Sequence, residues 1–312
     1  MAQQRRGTAG LARSAPTESV DRAATLLPQR LHDVGFDDIV QLDISMEGMA
    51  AISGFATQRS GNVVFVKTFG EVRADDIFTL EAAGLQALRE SGGFTTPDVI
   101  YVSPAVLVLS VLQPRPASRA FWERVAHALA RMHMGTVSDR YGWAHDNWLG
   151  SSRQYNGWDD NGFRFFAERR VLRWLPAPRV QAKLDAEDRR ALERLCDRLP
   201  DLLPVQPACL THGDFWLQNI LATPAGEAAT IDPAVSYMWA DVDLSHLWCS
   251  PHPPEAQRFF DVYGEVTSRE PGWLDRLPLL HLRQHMALMA MYDHDWGSTE
   301  AVRTLVAPFR TR

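Results

Sequence analysis

The stretch Leu210-Thr-His-Gly-Asp-Phe-Trp-Leu-Gln-Asn-Ile-Leu221, followed by Thr230-Ile-Asp-Pro-Ala234, constrains this chain more than any other. It sets Asp214, then Asn219 five residues on, then Asp232 into one short span. Phosphoryl transfer to an alcohol needs three such groups. One carboxylate accepts the hydroxyl proton, and an Asn and a second Asp hold the magnesium ions that neutralise the phosphates. Two short motifs in this order, with a β-hairpin between them, fit a catalytic loop followed by a metal-binding loop. Each residue alone has an ordinary reading: Asp214 in a Gly-Asp turn, Asn219 as a cap, Asp232 ahead of Pro233. Three independent turns at these spacings are a poorer account. His212 reads as a brace for the loop rather than a proton carrier.

The rest of the sequence narrows the class. A chain of 312 residues can bury a large core and form two lobes. Its net charge of −6 argues against a nucleic-acid partner and suits a cationic small molecule. Apolar content of 46% is ordinary for a globular protein, and no apolar run approaches the roughly 18 residues of a membrane span. Cys196, Cys209 and Cys249 form no C-x-x-C pair, which points to reduced thiols and a cytoplasmic setting. The sequence carries no signal for an oligomeric state.

Periodicity predicts a helix over Ser19–Val34, then strands near Ile39–Ile44, Ala50–Thr57 and Val63–Phe69. A helix over Asp75–Ser91 and strands at Val99–Val102 and Val106–Leu112 follow. Gln113-Pro-Arg-Pro116 is the clearest linker signal, and the chain beyond it is mainly helical. Helices are expected near Ser118–Met134, Asn161–Leu175, Asp185–Leu199, Asp241–Cys249, Pro254–Val266, Leu274–Tyr292 and Thr299–Phe309. The expected organisation is a disordered tail (1–18), a β-rich N-lobe (19–112), a hinge (113–117) and a helical C-lobe (118–312). That is an α+β, protein-kinase-like two-lobed fold.

Further candidates fall into place around the two motifs. Lys67 closes the strand Val63-Val-Phe-Val-Lys67, and Glu81 lies in the next helix. A strand lysine can bind nucleotide phosphates while a helix carboxylate holds it in place. Asp241 and Asp243 stand at a helix start, where they could cap the helix or brace the catalytic loop. His281 and His285 are four apart on an expected helix, a metal-binding spacing, but no third ligand is evident and packing is the better reading. The aromatic cluster of Trp143, Trp148, Tyr155, Trp158, Phe163, Phe165 and Phe166 reads mostly as core.

The chain resembles the fructosamine 3-kinase family, a branch of the aminoglycoside-phosphotransferase-like kinases. The resemblance rests on Phe65-Val-Lys67, Glu81-Ala-Ala-Gly-Leu85, Asp146-Asn-Trp-Leu-Gly150, Asn156-Gly-Trp158 and Phe165-Phe-Ala-Glu-Arg-Arg170. It continues in His212-Gly-Asp-Phe-Trp216, Asp232-Pro-Ala234 and Asp241-Val-Asp-Leu244. It implies transfer of a γ-phosphate from ATP or GTP, with Mg2+, to a hydroxyl of a small sugar-containing, amine-bearing acceptor. Asp214 would be the base, Asn219 and Asp232 the metal ligands, and Lys67 with Glu81 the phosphate anchor. Trp216 looks like part of the acceptor wall, and Asp293 or Asp295 could pair with an ammonium group there.

Three departures from the family stand out. The loop between the first two strands carries Gly48 alone rather than paired glycines, though its backbone can still approach phosphate. The linker reads Leu109-Ser-Val-Leu112, without the usual acidic residue. The C-terminal segment reads Met291-Tyr-Asp-His-Asp-Trp296. The first and last of these favour a specialised substrate, and the linker leaves the choice between ATP and GTP open. A kinase acting on an aminoglycoside or glycosylated nucleoside antibiotic is therefore the competing reading, and a ligand-binding pseudokinase is a third.

Overall fold

The structure, a computed structural model, describes residues 17–45, 51–70 and 76–311. Two compact units divide the chain. One takes in the residues up to Ala82 together with Pro97–Val111, and the other takes in Ala83–Thr96 and Leu112–Arg312.

The first unit is built on helix α1 (Thr17–Asp33), strands β1 (Ile39–Ser45), β2 (Ile52–Gln58) and β3 (Val63–Thr68), the start of helix α2 (Ile77–Glu90), and strands β4 (Val99–Val102) and β5 (Val106–Ser110). Its five strands form one antiparallel sheet in the order β1-β2-β3-β5-β4. The turn from β2 to β3 needs Gly61, which sits at φ +89°, a region open to glycine and strained for other residues. Strand periodicity sorts β3 between two faces. Val64 and Val66 join Leu27, Leu31, Ala56, Val106 and Val108 in one apolar cluster. Lys67 points to the opposite face.

The second unit holds helices α3 (Arg119–Gly135), α4 (Gly162–Phe166), α5 (Pro178–Lys183), α6 (Ala186–Asp197), α7 (Leu199–Leu202), α8 (Asp241–Cys249), α9 (Gln257–Val266), α10 (Leu277–Leu280), α11 (Leu282–Met291) and α12 (Ser298–Val306). Side chains start three of them, Asn161 accepting the Arg164 N–H ahead of α4. Ser118 accepts the Phe121 N–H ahead of α3, and Asp185 accepts the Asp188 N–H ahead of α6. Among the described residues no helix is long and apolar enough to cross a membrane.

Three two-stranded ribbons matter for function: β6 (Asn147–Leu149) with β7 (Ser152–Gln154), β8 (Cys209–Thr211) with β11 (Ser236–Met238), and β9 (Ile220–Ala222) with β10 (Ala228–Thr230). Strand β8 leads into His212, and β11 follows Asp232-Pro-Ala-Val235. Pairing Thr211 with Ser236 and Cys209 with Met238 ties the outer ends of both motifs together. The inner ends are tied by the β9–β10 hairpin.

The helix expected over Asn161–Leu175 is only partly regular. It opens as α4, widens to a π turn over Ala167–Val171 and tightens to a 3-10 turn over Leu172–Trp174. Within the wide turn Arg170 is buried, and it donates to Tyr155 O at 2.7 Å and to Asn156 Oδ1 at 2.6 Å. The helix expected over Leu274–Tyr292 is divided at His281 between α10 and α11.

Candidate active site

The loop after β8 is fixed from below. Asp243, on the first turn of α8, is fully buried and accepts the backbone N–H of His212 at 2.7 Å and of Gly213 at 2.8 Å. His133 Nε2 lies 3.3 Å from the same carboxylate, and its Nδ1 meets the Tyr263 hydroxyl at 2.8 Å. Burial pushes the Asp243 carboxyl up, but His133, His212 and the Gly213 amide outweigh it and hold the group below the usual carboxylate range. Of the two roles open for Asp243, loop bracing is the one seen. No side chain caps α8. Asp241 is fully buried between Arg269 at 2.8 Å and Arg276 at 2.7 Å, a structural ion cluster.

Gly213 joins this loop to the Asp-Pro-Ala segment. It sits at φ +79°, and a Cβ there would lie 2.0 Å from Ala234 O. Ala234 N donates to His212 O at 2.8 Å. His212 closes the arrangement: its Nε2–H donates to Ile231 O at 2.9 Å, and its Nδ1 accepts the Asp214 N–H at 3.1 Å. Both ring nitrogens are therefore engaged. Burial lowers the group's proton affinity against the pull of Asp243 and Asp214, leaving a neutral imidazole at pH 7.

Asp214 is held on both oxygens. Oδ2 accepts from Asn219 Nδ2 at 3.1 Å, while Oδ1 accepts from Gln284 Nε2 at 3.2 Å and lies 3.3 Å from His246 Nδ1. Its side chain remains 20% exposed, so the carboxylate is oriented without being sealed. Burial pushes this carboxyl up, but His246, His212 and Arg283 outweigh that and keep it below the usual range. It is ionised at neutral pH. Asn219 Nδ2 also donates to Asp214 O at 2.8 Å, so both of its hydrogen bonds to Asp214 come from the amide nitrogen and not from the amide oxygen. Its backbone carbonyl accepts from Ile231 N at 3.1 Å and Thr230 Oγ1 at 2.8 Å, so Asn219 is pinned beside the segment bearing Asp232. Asp232 takes φ +56°, a strained conformation for a non-glycine residue and the kind found at functional sites. The Asn219 amide oxygen and the Asp232 carboxylate are hard oxygen donors, which suits magnesium.

A second network holds the other side of the Asp232 segment. Asn147 Nδ2 donates to Val235 O at 2.8 Å, and Gln154 Nε2 donates to Ala234 O at 3.0 Å. Asn147 Oδ1 accepts from Gln154 and from Asn156 Nδ2 at 2.9 Å. Arg170 completes the chain through Asn156, and Arg283 reaches Gln154 Oε1 at 3.3 Å. The Asp-Asn-Trp-Leu-Gly and Asn-Gly-Trp segments thus position a backbone. That role is invisible in the sequence because its partners lie about 80 residues away.

The other predicted residues divide into those placed here and those placed elsewhere. Trp216 is half-buried and stacks flat on His246, with ring centroids 5.7 Å apart and planes 11° apart. Lys67 and Glu81 form an ion pair within the first unit, Nζ to Oε1 at 2.7 Å, with both side chains largely buried. Gly48 lies outside the described residues. Asp293 has a side chain 91% exposed and pairs with Arg179 at 2.7 Å. Asp295 accepts from Gly297 N, Thr299 N and the Thr299 hydroxyl at the start of α12, and Lys183 lies 3.8 Å away. The structure thus joins neither acid to Asp214. Both sit past the end of α11, where arginine, lysine and amide donors already satisfy them. His281 and His285 are edge-to-face neighbours at 4.5 Å, and burial lowers both, His285 to about 4. Among the described residues no group of His, Cys, Asp and Glu is arranged to hold a metal by itself. Sequence reasoning missed His246 and Gln284, which no motif marks.

The geometry agrees with what the chain is similar to. A sequence model described as fructosamine kinase matches residues 36–307. A Synechocystis protein assigned as a ketoamine kinase is 28% identical over 280 residues, covering 88% of this chain and 93% of the relative. The chloroplastic protein-ribulosamine 3-kinase of Oryza sativa subsp. indica is 28% identical over 243 residues, 75% of this chain and 69% of the relative. A crystal structure from Thermobifida fusca, assigned as a fructosamine-3-kinase, superposes with a TM-score of 0.78 at 25% identity, covering 90% of this chain and 98% of that one. The chain belongs to the fructosamine kinase family and is a phosphotransferase of the protein-kinase-like fold.

Proposed function

We propose that the protein transfers the γ-phosphoryl group of ATP to a hydroxyl of a sugar-amine acceptor of the ketosamine type, with Asp214 as the catalytic base. The observation that carries this reading is the fixed, ionised and partly open Asp214 carboxylate, held by Asn219, Gln284 and His246. A carboxylate below its usual range is a weak base. That is sufficient for a loose phosphoryl transition state, in which the nucleophile keeps its proton until late and orientation matters most. Asp214 would orient the acceptor hydroxyl and take its proton as the new P–O bond forms. The bond between the γ-phosphorus and the bridging oxygen breaks, and ADP leaves.

Asn219 Oδ1 and Asp232 are the proposed magnesium ligands. The ion would supply charge neutralisation on the phosphoryl oxygens when bound. Lys67, held by Glu81, is the proposed partner of the nucleotide phosphates. Trp216 offers an indole face to the apolar side of a sugar or to an ammonium group. A cytoplasmic setting belongs to the same reading. The three cysteines are free, and burial pushes Cys196 and Cys249 up to about 12 and Cys209 up as well, so none is a ready nucleophile at pH 7.

The test is an acceptor screen with ATP, GTP and magnesium against fructose- and ribulose-lysine adducts, aminoglycosides and glycosylated nucleosides, read by mass spectrometry. Phosphate on a ketosamine is expected. Phosphate on an antibiotic alone would overturn the acceptor class, and no nucleotide binding with any metal would overturn the enzyme reading.

A further inference from the structure

We infer that His246 is a positioning residue that couples the catalytic carboxylate to the acceptor wall. The inference rests on the assignment of Asp214 as the base. Helix α8 delivers two side chains to the loop from positions three apart, which share one helix face. Asp243 holds the His212 and Gly213 amides, and His246 meets the working part of the loop. One edge of the imidazole addresses Asp214, with Nδ1 3.3 Å from Oδ1, and its face lies flat on the Trp216 indole.

His246 is only 6% exposed, and its Nδ1 is shut off from water without a well-aligned hydrogen bond. A buried polar atom in that state is costly unless its neighbour draws close. Apo geometry of catalytic hydrogen bonds is often long and tightens when substrate binds. His246 Nδ1–H closing on Oδ1 would turn the Asp214 carboxylate, and the same ring motion would carry Trp216. His281 backs the ring at 5.5 Å with its own Nδ1 also unpaired, and Gln284 Oε1 is a third unpaired buried atom beside Asp214. The region behind the carboxylate therefore contains three buried polar atoms with no aligned protein partner.

The two roles of the ring can be separated by substitution. His246→Phe keeps a flat ring against Trp216 and removes the nitrogen. His246→Asn keeps an N–H donor at the same bond distance from Cβ and removes the ring. With a ketosamine acceptor, His246→Phe should lower kcat about tenfold or more, the usual loss of a hydrogen bond to a charged group, with acceptor KM within about twofold. His246→Asn should raise acceptor KM by about tenfold with kcat within about threefold. Nucleotide KM should hold in both.

A merely structural histidine would lower thermal stability in both variants without splitting the kinetic constants. Loss of the split, or no effect in either variant, would overturn the inference. Should either variant fail to fold, nitrogen NMR of the histidines in wild type and Asp214→Asn decides the matter. A shift of the His246 Nδ1 signal on removing the Asp214 charge is expected, and an unmoved signal would overturn the contact. Asp214→Asn also separates the two readings. If it keeps near-wild-type kcat, the base assignment itself fails. If it is inactive while the His246 variants show no split, only this inference fails.

Discussion

Replacing Asp243 by Asn tests how the catalytic loop is held. The carboxylate accepts two backbone amides, from His212 at 2.7 Å and from Gly213 at 2.8 Å, on separate oxygens. An amide side chain keeps one acceptor and turns an NH2 toward the other donor. One charge-assisted hydrogen bond is lost, about 1.5–3 kcal/mol, and one buried N–H is left unpaired, about 1–3 kcal/mol. Asp243 is fully buried, so water cannot substitute. Relief from burying a charge sets the lower end of the sum, and a destabilisation of about 3–5 kcal/mol is expected.

The kinetic effect adds to it. Gly213 precedes Asp214, and a shift of about 1 Å in a reacting group costs on the order of 100-fold in rate. Urea unfolding followed by tryptophan fluorescence and circular dichroism, together with kcat, measures both. The pH dependence has a definite sign. The Asp243 carboxyl lies below its usual range in the folded protein, so its contribution is complete above the unfolded value near 4 and is lost as pH falls through the folded value. The gap between wild type and variant should therefore narrow in acid. A variant within about 1 kcal/mol of wild type at pH 7, with kcat within about threefold, would refute the bracing argument.

Three further outcomes follow from the same geometry. Gly213→Ala places a Cβ against Ala234 O at φ +79° and should destabilise by more than about 2 kcal/mol with loss of turnover. Wild-type melting and activity would show that the loop can open at no cost. Asp232→Ala should weaken magnesium-nucleotide binding more than Asp214→Ala, because a metal ligand acts before the acceptor arrives, and equal affinities by calorimetry would contradict this division. Asp293→Asn should leave acceptor KM and melting temperature unchanged, since the group is exposed and pairs with Arg179 at the surface. A several-fold rise in acceptor KM would return it to the site.

The sequence made the local parts of this site legible and left the long-range parts hidden. His212 to Asn219 and Asp232 to Ala234 are contiguous motifs, so residue type and spacing sufficed to propose them. The sheet of the first unit was legible because Val63-Val-Phe-Val and Val106–Ser110 alternate or run apolar between turn signals. Asp243 was ambiguous because an acid at a helix start looks the same whether it caps its own helix or accepts amides 30 residues away. His246 and Gln284 left no trace, since one lies mid-helix in an apolar run and the other between basic residues. Asp293 and Asp295 show what spacing alone leaves out. Acids past a helix end are drawn to local donors, here Arg179, Lys183 and the first turn of α12. The π turn around Arg170 was equally hidden, because a wide turn is dictated by the Asn156 and Tyr155 acceptors and not by the composition of Ala167–Val171.

Phosphorus NMR of a single turnover, comparing wild type with Asp214→Asn, tests the central claim most directly. With ATP, magnesium and a ketosamine, the wild type should convert the γ-phosphate signal into a sugar phosphomonoester. The variant should bind ATP with unchanged affinity and form that product at least about 100-fold more slowly. Product formed at a wild-type rate by Asp214→Asn, or γ-phosphate released only as inorganic phosphate by the wild type, would contradict the account.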